Sequence, residues 1–250
     1  MAVNAKKNSI VFEKRKELDY RTNESYKSLR TNIQFCGSDV RVLALTSCTP
    51  NEGKSSVCFN LALSFAQDGK KVIMIDADLR KSVLVGRYKV GAVDGGLSHY
   101  LSGQKELSEV VMSSDIENFD IIFSGPFAPN PAELVGSERM KEMLKTLREQ
   151  YDYVIIDTPP MGSVVDAAVI SQLTDGVVLV IENNAISYRF AQTVKKQLEQ
   201  VDCKLLGAVL NKVPMGKKGY YGRYYGKYYG KYYGEYYGTY GQEDGDDEQE

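Results

Sequence analysis

The chain has 250 residues, 43% of them hydrophobic and 26% charged, with a net charge of −2; this fits a soluble globular domain with tails and argues against a nucleic-acid-binding protein. Four cysteines without a Cys-x-x-Cys pair, and His99 as the sole histidine, exclude a zinc ribbon and suggest no disulfide framework, so a reducing compartment fits best. The apolar runs, such as Val177 to Ile181, fall far short of the roughly 18 residues that span a bilayer, and the N-terminal MAVNAKKNSIVFEKRKE reads as no signal peptide.

Residues 1–20 are polar and basic and are read as a loose segment or one docked on a partner. From Thr22 to Phe35 the spacing predicts a helix, with Tyr26, Leu29 and Ile33 on one side and Asn23 as its cap. Glu24, Lys27 and Arg30 recur every three residues and share a face, which spacing alone reads as solvated. Val42 to Leu45 is an apolar run that predicts a buried strand. It leads into a polar turn with Pro50, Asn51, Glu52 and Gly53, and Lys54, Ser55 and Ser56 then open a helix running through Phe59, Leu61 and Phe65. Strand, turn, Gly-Lys-Ser and helix form the layout of a phosphate-binding P-loop, although Cys48 stands where the pattern opens on glycine. The chemistry follows from the helix start. Its unpaired N–H groups attract anions, Gly53 admits close approach of a phosphate, Lys54 adds a full charge and the Ser55 hydroxyl is placed to ligate Mg²⁺.

Asp68-Gly69 ends that helix, and Lys71 to Ile75 predicts a second buried strand finishing in Asp76-Ala77-Asp78-Leu79-Arg80. If strand geometry persists, Asp76 and Asp78 project to one side at the carboxyl edge of the sheet. They are read either as carboxylates around a cation or as capping acids. Residues 81–118 read as loops and short helices, and Phe119 to Phe123 as a strand. A turn-rich break from Ser124 to Asn130 follows, then one helix from Pro131 carrying Leu134, Met140, Met143, Leu144 and Leu147 as core. Tyr153 to Ile156 runs into Asp157-Thr158-Pro159-Pro160, an apolar strand ending in the acid of a Walker B motif. Asp166 to Leu173 and Ser187 to Gln200 predict helices, and Gly176 to Ile181 and Leu205 to Leu210 predict strands. Asn211 closes the last strand, either as a base-edge donor or as a turn residue. The alternation predicts an α/β P-loop NTPase fold, a mostly parallel sheet with helices on both faces.

After Pro214 the composition changes to a Tyr-Tyr-Gly-X repeat that ends in the acidic QEDGDDEQE, read as a disordered tail over 214–250 behind a domain at 21–213. Its phenols are Tyr220, Tyr221, Tyr224, Tyr225, Tyr228, Tyr229, Tyr232, Tyr233, Tyr236, Tyr237 and Tyr240. They are read either as a sticky low-complexity segment or as phosphoryl acceptors. A flexible chain of about 20 residues spans about 25 Å, enough to reach a neighbouring molecule. Phosphorylation of several of them would turn a basic tail anionic and make clustered tails repel.

Taken together, TPNEGKSS at 49–56, VIMIDADLR at 72–80, VIIDTPP at 154–160, NPAELVGS at 130–137, SYKSLRTNIQF at 25–35 and the terminal tyrosines resemble the bacterial tyrosine kinases of capsule and exopolysaccharide synthesis. The resemblance spans nearly the whole chain. It implies an ATP- and Mg²⁺-dependent protein-tyrosine kinase that autophosphorylates its tail between subunits of a ring-like homo-oligomer. By position, Asn51 to Ser56 bind the nucleotide together with Asn211. Ser55, Asp78 and Asp157 hold the metal, Asp76 is the base, and Lys54 and Arg80 complete the catalytic set. Glu24, Lys27 and Arg30 become an oligomerisation motif, with Lys27 standing where the family has arginine, as Asn51 stands where it has glycine. The resemblance also implies a cytoplasmic enzyme recruited to the membrane's inner face by a transmembrane polysaccharide co-polymerase, with a cognate tyrosine phosphatase and no nucleic-acid partner. The alternatives are a partitioning-type ATPase, whose signature lysine would fall at Thr49, and a nucleotide-binding adaptor.

Overall fold

The structure, a computed structural model, describes residues 8–214. The tyrosine cluster and the acidic end lie outside the described residues. The chain divides at Asn211 into a compact unit and a second unit, Lys212–Glu250.

The first unit is built on one eight-stranded sheet. Its strands are β1 Asn8–Ile10, β2 Val42–Ser47, β3 Val72–Asp76, β4 Met112–Ser114, β5 Phe119–Ile122, β6 Tyr153–Asp157, β7 Gly176–Glu182 and β8 Leu205–Asn211, in the order β1-β4-β5-β3-β6-β2-β7-β8. All pairs are parallel except β4 with β5. The central strands β2, β3 and β5 are buried along their whole length, as their unbroken apolar runs require in a sheet covered on both faces. Their side chains alternate between two cores. Leu43, Leu45, Met74 and Ile121 face one, with helix α2 Lys54–Gln67. Val42, Ala44, Ile73, Ile75 and Ile122 face the other, with α7 Glu138–Gln150, α8 Asp166–Ser171 and α9 Tyr188–Gln200.

Several expectations are corrected. The first helix, α1, is Tyr20–Gln34, and its cap is Asp19, whose carboxylate accepts from Thr22 N at 3.0 Å, rather than Asn23. Within the segment read as loose or docked on a partner, residues 8–12 are held to the sheet: β1 pairs with β4, and Phe12 is buried. Phe12 packs edge-on against Phe59 at 5.0 Å and near Tyr88 and Phe119, and burying such a ring contributes about 2 kcal/mol. Between residues 81 and 118 lie the short helices α3 Leu84–Tyr88, α4 Leu97–Leu101 and α5 Leu107–Val110, but also strand β4, which is too short for a periodic signal. The single helix expected from Pro131 is two, α6 Pro131–Val135 and α7, because Gly136 ends the first and the Ser137 hydroxyl caps the second at Met140 N.

Candidate active site

The carboxyl ends of β2, β6 and β3 lie side by side, and each supplies part of one site. From β2 the chain enters the P-loop. Asn51 (φ 69°) and Gly53 (φ 86°) both adopt the left-handed conformation. Gly53 does so freely, and asparagine is the side chain that tolerates it best, so Asn51 fits this left-handed position. Glu52 is buried and its carboxylate accepts from Thr49 N at 2.9 Å, closing the loop on itself. Asn211, at the end of β8, donates to the Glu52 carbonyl at 2.9 Å. In this conformation Asn211 braces the loop rather than presenting a free amide to a base. Cys48 is fully buried, and burial with the adjacent Glu52 charge pushes its thiol up to about 12, so it is inert filling.

The helix that follows starts on Lys54, whose side chain is only 7% exposed and whose Nζ lies 2.5 Å from Asp157 Oδ1 at the end of β6. Burial works against the charged amine, but Asp157 outweighs it and holds the lysine pKa above its ordinary value. Ser55 Oγ is 3.4 Å from the same amine. On the next strand Asp76 is the register partner of Asp157, and Ala77 N donates to the Asp157 carbonyl at 2.8 Å. Asp76 is fully buried; burial first, then the neighbouring Asp157 charge, raises its carboxyl to about 7. Lys54, Asp157 and Asp76 therefore lie together at the ends of β6 and β3.

Asp78 does not continue the strand geometry. Its backbone N–H donates to Asp76 Oδ1 at 3.3 Å, and its own carboxylate caps the next turn, accepting from Arg80 N at 3.3 Å and Lys81 N at 3.0 Å. It stays close enough to Lys54 to favour its charge. Arg80 is held as a fork by the buried Asp166, at 2.7 and 3.0 Å, which ties the turn after β3 to α8. The guanidinium thus orders this turn. Sequence reasoning missed three second partners: Asp166, read only as a helix start; Ser82, whose hydroxyl donates to Asp76 Oδ2; and Arg87, which reaches Ser56 Oγ at 2.5 Å. Only contact across the fold reveals them.

The charged triplet on α1 also separates. Lys27 pairs with Glu24 at 2.7 Å in the open, whereas Arg30 turns inward and is 16% exposed. It donates to the Ser64 carbonyl at 2.7 Å and pairs with Asp68 at 3.1 Å, capping the C-terminal end of α2. The three residues do not present a single solvated face. Among the described residues no helix is long and apolar enough to cross a membrane.

An AAA domain family matches residues 40–209. The chain is 41% identical over 208 residues to the tyrosine-protein kinase CpsD of Streptococcus agalactiae, covering 81% of this chain and 91% of that one. It is also 41% identical to the tyrosine-protein kinase YwqD of Bacillus subtilis, covering 80% and 86%. The kinase domain of the Escherichia coli tyrosine kinase ETK superposes with a TM-score of 0.72 at 34% identity, over 79% of this chain and 80% of that chain. Fold, P-loop and relatives agree, and the chain belongs to the bacterial tyrosine-protein kinase family.

Proposed function

We propose that this kinase transfers the γ-phosphoryl group of Mg-ATP to the tyrosines of its own C-terminal cluster on a neighbouring copy, and so regulates capsule or exopolysaccharide synthesis. The observation that carries the reading is the convergence of Lys54, Asp157 and Asp76 at the start of α2. The helix start, Gly53 without a Cβ and the buried ammonium suit a triphosphate. Mg²⁺ completes its shell with phosphate oxygens and water and so needs few protein ligands. Ser55, Asp157 and Asp78 are the residues that would hold it; once bound, it supplies charge neutralisation at the phosphates.

In the transfer, the phenol oxygen forms a bond to the γ-phosphorus, the bond from that phosphorus to the β-bridging oxygen breaks, and ADP leaves. The phenol proton passes to Asp76. A tyrosine pKa near 10 makes such a base necessary, and a carboxyl raised to about 7 is well matched to accept the proton at neutral pH. Ser82 covers Asp76, so an entering phenol takes the place of the Ser82 hydroxyl. Asn211 is assigned to the adenine side of the loop that it braces. Assembly into a ring rests on Glu24 and Lys27, with Arg30 joining only by leaving α2. A transmembrane adaptor recruits the kinase from the cytoplasm to the membrane's inner face, and a tyrosine phosphatase reverses the modification. Incubation of the full chain with Mg-ATP and the adaptor's cytosolic segment, followed by intact-mass measurement, tests this. Multiple added phosphates, lost in Asp76→Asn, are expected; ATP consumption without added phosphate would reject the kinase assignment.

A further inference from the structure

The loop after β5, residues 123–130, leaves the sheet at the same carboxyl edge as the site. Along that edge the order is the P-loop from β2, Asp157 from β6, Asp76 from β3, then this loop from β5. Neighbouring strands are about 4.8 Å apart, so the loop begins one spacing beyond Asp76, on the side away from the P-loop.

The loop is also stiff. Leu97 N and Ser98 N donate to the Phe123 and Ser124 carbonyls at 2.7 and 2.9 Å, and Gly96 packs so closely that a Cβ there would fall 2.3 Å from Gly125 N. Pro126, Pro129 and Pro131 fix φ at three further positions, and Ala128 is buried. Beyond it α6 packs on α8, with Val169 of α8 lying 3.2 Å from a Cβ built on Gly136, and α8 carries the Asp166 that holds Arg80. On this rigid span Phe127 stands 73% exposed. Six residues on, Glu133 is exposed, its carboxylate accepting from Asn130 Nδ2 at 2.9 Å.

A rigid loop that leaves the strand next to the one carrying Asp76, and holds a benzene ring in water, has a natural occupant. We propose that Phe127 is the stacking platform for an acceptor-segment tyrosine, and that Glu133 selects repeats carrying a basic residue. The occupant is the tyrosine cluster of a second copy. Its repeats offer a second phenol beside each acceptor, and Arg223, Lys227 and Lys231 follow the first three Tyr-Tyr-Gly units, whereas Glu235 and Thr239 follow the later ones. The ring of Phe127 binds one phenol while a neighbour enters toward Asp76, and Glu133 favours the Arg- and Lys-containing units. Phosphorylation accordingly proceeds at Tyr220 to Tyr229 before Tyr232, Tyr233, Tyr236, Tyr237 and Tyr240. This rests on the phosphotransfer reading above.

The test uses the full chain with the adaptor's cytosolic segment, saturating Mg-ATP and two synthetic acceptors, YYGKYYGK and YYGEYYGT. An aromatic contact of this kind corresponds to about 3- to 10-fold in affinity. Phe127→Ala should raise the KM for both peptides by that factor, with kcat and the KM for ATP unchanged, and Phe127→Tyr should restore the wild-type value. Glu133→Lys should reverse the preference for the lysine peptide. An unchanged peptide KM in Phe127→Ala, or a parallel rise in the KM for ATP, overturns the platform; an unchanged preference in Glu133→Lys overturns the selection. If the wild-type chain phosphorylates neither peptide nor itself, the phosphotransfer reading falls, and this inference with it.

Discussion

Replacing Lys54 by methionine removes the only cation in contact with Asp157 among the described residues. Asp157 is 1% exposed and its neighbour Asp76 is fully buried, so the variant leaves two adjacent carboxylates without a counter-charge. Breaking a buried pair from one side costs about 3–5 kcal/mol. For a domain of this size that lowers Tm by roughly 6–20 °C. The sign of the pH effect is fixed by the acids. Asp76 already has its pKa raised to about 7 by burial and by Asp157. A carboxyl raised above its unfolded value destabilises the fold above its folded pKa and ceases to do so once protonated below it. Lysine, with its pKa above the ordinary value, stays charged in both states across this range. The wild-type advantage should therefore be largest at pH 8 and shrink by pH 5.5. Asp157→Asn in the same chain should recover much of the loss, because the uncompensated charge is then gone. Differential scanning calorimetry in metal-chelating buffer measures all three. A Lys54→Met chain unfolding within 2 °C of wild type at pH 8, by the scale used above, would refute the pairing, and a double variant less stable than either single one would refute its cause.

Arg30→Ala should destabilise the chain by about 1–2 kcal/mol in urea unfolding, because it removes the cap on Ser64 O and the pair with Asp68, whereas Glu24→Ala should stay within about 0.5 kcal/mol. Asp175 accepts from Val42 N at 2.7 Å, Arg41 N at 2.8 Å and Arg148 at 2.5 Å. Burial opposes its charge, but these donors hold its pKa below the ordinary carboxylate value. Asp175→Ala should cost about 2–3 kcal/mol from pH 5 to 8, and the gap to wild type should begin to close as pH falls through the ordinary carboxylate value of about 3.9 and vanish only below the folded group's lower pKa. Gly96→Ala forces a Cβ into the Gly125 backbone and should cost about 3 kcal/mol or more, read as a lowered urea midpoint.

The strands that build the site were legible because each is an unbroken apolar run ending in its functional residue: Val42 to Ser47 before the P-loop, Val72 to Asp76, and Tyr153 to Asp157. Burial on both faces leaves no alternation to misread. What stayed hidden depended on partners distant in sequence. Phe12 gives no periodic signal, yet it completes an aromatic cluster with Phe59, Tyr88 and Phe119. Asn23 resembled a cap, but the helix already begins at Tyr20, and Asp19 caps it by accepting from Thr22 N. The i, i+3 spacing put Arg30 on a face with Glu24 and Lys27, yet the C-terminal end of α2 attracts it inward. Arg80 gave no hint that Asp166 would hold it, 86 residues on.

Transfer between copies is tested most directly by mixing two chains. One is active, with every tyrosine from Tyr220 to Tyr240 changed to phenylalanine; the other is Lys54→Met with its tyrosines intact. After incubation with Mg-ATP and the adaptor's cytosolic segment, intact-mass spectrometry should find phosphates on the Lys54→Met chain alone. An unmodified Lys54→Met chain, beside a wild-type chain that does phosphorylate itself, would contradict transfer in trans.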